Sequence, residues 1–284
     1  MKTLREFILN YKEKERQYYN ESNWEDDSEY IPEGLEINLD GKIVKLNDTS
    51  EGVDFNGPIY WNENGIEIIS IFKRTNLPGF SKNTDGNPFI YALKNKFGWK
   101  FDITDKEIYK YCKKFVQNCE KLQRKFDTII MIPSRSKVNE RFMEEISKFV
   151  KSDNEIEDFF VKATLSHEDN EDLIDLKRLE KDFPNELDRR IEIRKLINLL
   201  DEQNDMYEPK EFEAKSFPKK YLKYCKFLQL NKNADYVDMI TDKDVLILDD
   251  IYSSGETISH AVRAIQQNYL PKSITVITLL SKKF

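Results

Sequence analysis

The amino-acid sequence predicts an α/β protein whose mainly parallel, doubly wound sheet is flanked by helices on both faces. Short apolar segments typical of buried strands, at residues 128–132, 159–165, 245–248 and 274–280, are separated by segments with apolar residues at helical spacing. Strands that alternate with helices pair in parallel, because each helix returns the chain to the same end of the sheet. This alternation extends over residues 104–284 and is interrupted between 166 and 240.

The first helix of this core begins at a capping box. Thr104 supplies an N-cap hydroxyl and Glu107 follows three residues later, so each side chain can satisfy a backbone N–H group of the other residue. Apolar residues then recur on one helical face as far as Leu122. A second core helix, marked by Phe142 and Ile146, follows the strand at 128–132.

The interruption at 166–240 is predicted to be a largely helical insertion. Two helices, at 171–183 and 186–203, are separated by Pro184, and the stretch 210–226 holds six lysines against two glutamates. These lysines either pair with the acidic stretch that precedes them or form a solvated surface. The second helix is expected to turn one apolar face inward, formed by Leu187, Ile191, Leu196, Ile197 and Leu200.

Residues 1–103 differ from the core and are predicted to form a separate α+β region. Apolar positions in residues 1–20 share one helical face, and eight of the nine glycines lie between residues 21 and 98 among short apolar runs. Turn residues between such runs are typical of hairpins and a small antiparallel sheet. We therefore divide the chain into an N-terminal region, 1–103, and a core, 104–284, with its insertion at 166–240.

The composition excludes several classes of protein. Charged residues make up 34% and hydrophobic residues 39%, which is unlike a disordered chain, and the net charge of −7 argues against a general polyanion binder. The three cysteines and two histidines lack zinc-ligand spacing. With neither a membrane-length apolar run nor a signal peptide, we expect a cytoplasmic protein that does not enter membranes.

The stretch from Asp244 to Thr257, DVLILDDIYSSGET, carries the strongest functional signal. An apolar strand ends in two carboxylates, Asp249 and Asp250, and a turn with hydroxyl groups and one glycine leads into a helix. Open α/β sheets bind ligands at the carboxyl ends of their strands, and a helix N-terminus binds anions. Gly255 is the only glycine after Gly98, so we expect close backbone approach or a positive φ there. The sequence thus predicts a sugar-phosphate site.

Two other kinds of site share an apolar strand followed by acids. A Walker B strand requires a G-x-x-x-x-G-K-[ST] loop upstream, and none of the nine glycines supplies one. A response regulator would carry its acid pair near the start of its domain, whereas here the pair follows most of the core. Neither alternative fits the context.

Residues 245–258 resemble the motif with which type I phosphoribosyltransferases (PRTases) bind phosphoribosyl pyrophosphate (PRPP). The resemblance implies that Asp249 and Asp250 hold the ribose hydroxyls, directly or through Mg²⁺. Purine-specific members carry an aspartate as general base at the position of Ser253, so this serine argues against hypoxanthine or guanine salvage. The 5′-phosphate would be wrapped by Ser253, Ser254, Gly255, Glu256 and Thr257, where Ser254 replaces the usual threonine.

A second anion loop is expected after the strand at 128–132, in the position of the family's pyrophosphate loop. Its cations could neutralise pyrophosphate and its serines could donate hydrogen bonds to it. The alternative is a basic surface turn that opens a helix. The residues concerned are Ser134, Arg135, Ser136 and Lys137.

The resemblance implies transfer of the phosphoribosyl group from PRPP–Mg²⁺ to an unidentified acceptor with release of pyrophosphate, as in nucleotide metabolism. The acceptor-binding hood would lie in 1–103 or 166–240, and the segment 210–226 is a candidate for the family's mobile loop. His167 is expected to be structural or solvated, and His260, on the helix after the phosphate loop, is expected to be a surface residue and not an acid-base group. Two alternatives remain open: a non-catalytic sensor of PRPP or a nucleotide, and an effector of a bacterial or phage conflict system. Nucleic-acid binding and a homodimer also remain open.

Overall fold

The computed structural model describes most of the chain. The described residues are 34–38, 40–47, 59–73, 91–92, 97–134, 137–165, 170–203, 210–212, 217–231, 235–252 and 255–281. The helix predicted at 1–20 and the predictions for Ser253, Ser254, Arg135, Ser136 and His167 lie outside these residues.

The centre of the fold is a six-stranded sheet in the order β3-β4-β13-β12-β6-β7. Neighbouring strands are parallel throughout, except that β3 pairs antiparallel with β4. The mixed α/β architecture with a mainly parallel sheet agrees with the prediction. Its strands are β3 Ile59–Glu63, β4 Ile66–Lys73, β6 Phe126–Met131, β7 Ser152–Ile156, β12 Asp244–Tyr252 and β13 Ser273–Ser281.

Strand β12 lies in the middle of the sheet because its residues are apolar on both faces. Val245 to Leu248 are all fully buried, as a parallel strand covered by helices on both sides requires. Leu248 is in register with Met131 of β6 and with Ile277 of β13. The aspartates therefore begin where the buried part of the strand ends.

Helices cover both faces of the sheet. Helix α1 (Asp105–Asn118) and helix α2 (Lys137–Phe149) pack on one face, in a core that includes Leu246 and Leu248. Helix α7 (Glu256–Asn268) packs on the other face, in a core that includes Val245 and Ile247. This distribution is the doubly wound arrangement that the alternation of strands and helices predicted.

Helix α1 begins as its capping box predicted. The Thr104 hydroxyl accepts a hydrogen bond from the Glu107 backbone N–H at 3.3 Å, and the Thr104 backbone N–H donates to Glu107 Oε2 at 2.6 Å. The helix ends at Asn118, earlier than expected, and the apolar face continues in a 3₁₀ turn, Glu120–Leu122, that buries Leu122.

One core strand was assigned wrongly from the sequence. The strand that pairs with β6 is the polar β7, and the apolar segment 159–165 lies outside the main sheet. That segment forms β8 (Phe160–Lys162) and β9 (Thr164–Leu165), which pair with short strands of the insertion. Strand β7 is an edge strand, so only one of its sides pairs with another strand. Its exposed positions alternate with more buried ones, and such a strand needs few apolar residues.

The N-terminal region contains two hairpins, as predicted, but one of them belongs to the main sheet. Strands β1 (Gly34–Asn38) and β2 (Ile43–Asn47) form a small sheet with β5 (Lys100–Phe101). The hairpin of β3 and β4 instead joins the core, where β4 pairs in parallel with β13. The division proposed at residue 103 therefore does not coincide with an edge of the sheet.

The insertion packs over the face of the sheet that carries α7. Its buried residues Leu196 and Leu200 agree with the predicted inner face of α4, but Leu187 and Ile191 are 68% and 45% exposed, so their inward assignment was wrong. The opposite charges pair in part, since Lys223 Nζ lies 2.6 Å from Asp182 Oδ2. Its elements are α3 Leu176–Asp182, α4 Glu186–Gln203, β10 Lys210–Glu211, α5 Lys219–Leu222, β11 Leu228–Leu230 and α6 Val237–Ile240.

None of the helices in the described part of the chain combines the length and the apolar character that a bilayer span requires.

Candidate functional site

Ser134, the first residue of the predicted pyrophosphate loop, lies against the acidic end of β12 at one edge of the sheet. Strands β6 and β12 are parallel neighbours, so the segments that follow them leave the sheet on the same side. Ser134, after β6, donates a hydrogen bond from its hydroxyl to Asp250 Oδ2 across 3.4 Å. The two residues are 116 positions apart in the sequence, and their meeting follows from strand order.

The two aspartates differ in environment. Asp249 is only 3% exposed, and its Oδ1 accepts a hydrogen bond from the backbone N–H of Asp250 at 2.8 Å. Asp250 is partly exposed beside Ser134. Asp249 therefore shapes the strand end, whereas Asp250 is the carboxylate that a ligand can reach first.

Helix α7 begins directly after Gly255. This glycine adopts φ +77° and ψ 0°, a left-handed conformation that other residues rarely adopt, and its carbonyl accepts the first helical hydrogen bond from Ser259 N–H at 2.8 Å. Glu256 and Thr257 form the first turn and are partly exposed. The first backbone N–H groups of a helix have no partner within it, so this turn can bind an anion.

Tyr252, the last residue of β12, packs against the turn at Gly255. Its hydroxyl donates to Glu63 of β3, and its ring meets the Trp61 ring edge-on, with 5.0 Å between the ring centroids. Burial, followed by the neighbouring Glu63 carboxylate, raises the pKa of Tyr252, so the phenol stays neutral. The N-terminal hairpin thus contacts the last residue of β12 before the loop.

On its other side, α7 is covered by the insertion. His260 is 5% exposed and lies against Phe227, with 4.3 Å between the ring centroids. Desolvation, reinforced by the charges of Arg263 and Arg178, lowers the pKa of His260 to about 3. The expectation that His260 lies on the surface was wrong, because the pattern of α7 alone does not show the second layer that packs over it.

The remaining predicted site residues are less informative. Lys137 is exposed at the start of α2, and Lys220 of the segment 210–226 lies over the ring of Tyr221 at 4.5 Å.

Cys112, Cys119 and Cys225 are buried and reduced. The described residues include no cluster of three or more histidine, cysteine, aspartate or glutamate side chains that could hold a metal ion.

The structure thus brings together Ser134, Asp249, Asp250 and the start of α7, all of which the sequence indicated. Sequence reasoning missed Glu63 and Arg178, which approach the loop from the hairpin and the insertion. Glu63 is 189 positions from Tyr252, and no local pattern links the two residues.

Comparison with known proteins gives little further information. No family model matches the chain, and a sequence search of curated proteins finds no match. Among solved structures, a hypoxanthine phosphoribosyltransferase from Staphylococcus aureus matches with 15% sequence identity and a TM-score of 0.33, over 64% of this chain and 69% of that chain. A TM-score of this size does not establish a common fold.

Proposed function

We propose that this protein binds PRPP with Mg²⁺ at the carboxyl edge of its sheet and transfers the phosphoribosyl group to an acceptor. The observation that carries the proposal is the contact between Ser134 and Asp250, 3.4 Å long, which joins the start of the loop expected to bind pyrophosphate to the carboxylate pair expected to bind the ribose. A sugar that carries a phosphate at one end and a pyrophosphate at the other requires two anion sites on either side of a group that binds hydroxyls.

The 5′-phosphate would bind at the start of α7. The positive φ of Gly255 turns the chain so that the N–H groups of the first helical turn face one point, and the helix dipole favours negative charge there. Hydroxyl groups of Ser253, Ser254 and Thr257 would add donors. The missing side chain of Gly255 leaves room for Tyr252 beside the turn.

The carboxylates would hold the ribose. Asp250, the more open of the pair, would accept hydrogen bonds from ribose hydroxyls, and Asp249 would hold the backbone N–H of Asp250 in place. Two carboxylates suit Mg²⁺, which commonly takes one or two protein carboxylates and fills its other positions with water and substrate oxygens. When bound, Mg²⁺ would neutralise negative charge that develops on the leaving pyrophosphate.

The reaction would be a displacement at C1 of the ribose. The bond from C1 to the pyrophosphate oxygen breaks, the pyrophosphate leaves with that electron pair, and a lone pair of the acceptor forms the new bond to C1. Ser134 and Lys137, with Arg135 and Ser136, would stabilise the charge on the leaving group. Removal of one such stabilising group typically lowers a rate about 10²- to 10³-fold.

The acceptor would bind between this edge and either the insertion or the hairpin. The insertion contacts the first residue of α7 through Arg178, and the hairpin contacts Tyr252, just before the loop, through Glu63. Ser253 stands where purine-specific relatives of the motif carry a general base, so we favour an acceptor other than hypoxanthine or guanine.

The test compares wild type with Asp249→Asn/Asp250→Asn, using Asp238→Asn on the exposed side of α6 as the control. Calorimetry with PRPP and Mg²⁺ should show binding by wild type and by the control but none by the double variant. Pyrophosphate release should then be measured with a panel of nucleobases and nucleotides as acceptors. Unchanged PRPP affinity in the double variant would contradict the site.

A second candidate is a non-catalytic sensor of PRPP or a nucleotide. The burial of Asp249 favours it, because a carboxylate that assists displacement at the ribose needs access to the substrate. Tight PRPP binding without pyrophosphate release on any acceptor would favour the sensor.

A further inference from the structure

Two ion pairs join α7 to the insertion. Arg178 Nη1 lies 3.8 Å from Glu256 Oε2, and Arg263 Nη1 lies 3.3 Å from Asp175 Oδ2. The two pairs have opposite polarity: α7 contributes an acid at its first residue and a base two turns later, and the insertion contributes the matching charges. Partly buried pairs of this kind fix how two elements are aligned.

The position of Glu256 presents an electrostatic problem for a phosphate site. Its carboxylate is the first side chain of α7, next to Gly255, where a negative charge stabilises the helix while no anion is bound. A bound phosphate dianion would occupy the same end of the helix and would be repelled by this carboxylate. Glu256 Oε2 is buried and has no hydrogen-bond partner among the described residues, and Arg178 forms an ion pair with this oxygen.

Arg178 is held where it can neutralise that charge. Its Nη1 donates to the Lys223 carbonyl at 3.1 Å, and its backbone N–H donates to Asp175 Oδ1 at 3.1 Å as the N-cap contact of α3. The first contact holds the guanidinium and the second holds the backbone, and both partners belong to the insertion. The side chain of Arg178 is 27% exposed, and its charge is therefore screened less than that of a surface arginine.

The charges on this face of α7 act on one another. After desolvation, the charges of Arg263 and Arg178 are the next causes of the low pKa of His260. Burial and Glu63 are the main causes of the raised pKa of Tyr252, and the Glu256 carboxylate adds to them. The field of Glu256 therefore reaches the residue that precedes the phosphate-binding turn.

We propose that Arg178 is a positioning residue of the phosphate site, through which the insertion neutralises Glu256 and allows the start of α7 to accept a phosphate. This inference rests on the proposed function, since it assumes that α7 binds a phosphomonoester. It also assigns a role to the insertion, which supplies the positive charge that offsets Glu256 at the start of α7.

The test is a double-mutant cycle titrated with ribose 5-phosphate by calorimetry. Arg178→Gln should weaken binding about three- to tenfold, the order expected for one unit charge near a partly exposed helix terminus. Glu256→Gln should bind at least as tightly as wild type. Arg178→Gln/Glu256→Gln, which lacks both charges, should regain about the wild-type affinity, and Arg178→Lys, which keeps the charge, should retain most of the wild-type affinity.

The matched control is Arg263→Gln, which breaks the other ion pair of the same interface two turns from the phosphate turn. It should lower thermal stability to a similar or larger extent than Arg178→Gln while the affinity for ribose 5-phosphate stays within about twofold, because charge effects fall off beyond the terminal turn. A merely structural role for Arg178 would give both variants the same loss of affinity.

Three other results would overturn the inference. If Arg178→Gln binds ribose 5-phosphate as tightly as wild type, Arg178 has no effect on the site. If the loss of affinity in Arg178→Gln is not restored by adding Glu256→Gln, Arg178 contacts the phosphate itself or acts by another route. No binding of ribose 5-phosphate by wild type overturns this inference and the phosphate site together. If the cycle behaves as expected while PRPP–Mg²⁺ binds no more tightly than ribose 5-phosphate, the proposed transferase fails and the role of Arg178 stands.

Discussion

The hydroxyl of Tyr252 lies where a side chain on Gly255 would begin. A Cβ atom built on Gly255 would lie 2.7 Å from Tyr252 Cζ and would overlap the hydroxyl oxygen. Gly255 thus meets two separate requirements, since it adopts φ +77° and also leaves space for the tyrosine that closes β12. The hydroxyl is in turn bonded to Glu63, so the position of the turn depends on a contact with the N-terminal hairpin.

Gly255→Ala is expected to weaken ribose 5-phosphate binding at least about tenfold, since the turn must shift to clear Tyr252, and 1.4 kcal/mol of misplacement already corresponds to a factor of ten. The matched control is Gly65→Ala in the turn between β3 and β4. Gly65 has a similar φ, +82°, but a Cβ there meets no atom within 4 Å. Both variants should lose about 1–2 kcal/mol of stability from the left-handed backbone, and Gly255→Ala should lose more. Equal losses of stability and unchanged affinity would show that the Tyr252 contact does not shape the site.

Tyr252→Phe should lower the free energy of unfolding by about 1–2 kcal/mol, because it removes a hydrogen bond to a carboxylate. It should also weaken phosphate binding, because the Tyr252 ring that packs against Gly255 is then held less firmly. Tyr236→Phe is the control: its hydroxyl donates to Asp158 Oδ1 at 3.0 Å, away from the turn, so its loss should affect stability only. Urea unfolding and calorimetry measure the two effects. If both variants lower affinity equally, the effect on binding is not local to Tyr252.

The burial of His260 predicts a loss of stability under mild acid. Its folded pKa of about 3 is below the ordinary value of about 6.5 for an unfolded chain. Protonation therefore favours the unfolded state, and the stability present above pH 6.5 declines as the pH falls toward 3. Between pH 7 and pH 5 the loss is about 2 kcal/mol, by linkage with those two pKa values. His260→Gln should flatten this slope in denaturant unfolding, whereas His167→Gln, at the other histidine, should keep it. Parallel slopes in wild type and His260→Gln would contradict the burial of the neutral imidazole.

Helix α4 should show a sharp contrast between its two faces. Leu196→Ala, at a fully buried position, should cost about 2–5 kcal/mol of stability, through lost burial and the cavity left behind. Leu187→Ala, at a position 68% exposed, should change stability by less than about 0.5 kcal/mol. Thermal or chemical unfolding decides between this arrangement and the inward face that the helical spacing alone indicates. A large cost at Leu187 would mean that its face is covered in solution.

Features that depend on neighbouring residues could be predicted from the sequence. The capping box at Thr104 and Glu107 needs only two side chains one turn apart. The four consecutive apolar residues Val245 to Leu248 predict that the strand is buried on both faces. Gly255 could be singled out because the chain uses so few glycines after residue 98. The meeting of Ser134 with Asp250 followed from parallel strand order, a rule that applies across 116 residues.

Features that depend on another layer of the fold could not be predicted. The edge strand β7 has a polar sequence, and its assignment requires knowing that β6 offers it a free side. His260 shares a helix with an obvious apolar face, yet the insertion packs on a different side of that helix. Leu187 and Ile191 fit the helical spacing but have no partner layer among the described residues. Periodicity predicts which residues share a face and does not predict what covers the face.

The pairing of β4 with β13 has a consequence for biosynthesis. The apolar strand β4 leaves the ribosome about 200 residues before its partner exists, which corresponds to roughly 10–40 s at ordinary translation rates. During that interval the β4 edge of the hairpin has no strand to pair with. Unpaired strand edges promote aggregation, so the nascent chain must shield this segment. We expect released chains that end at Lys272 to be cleaved by protease within residues 59–73, and released chains that extend through Ser281 to be protected there.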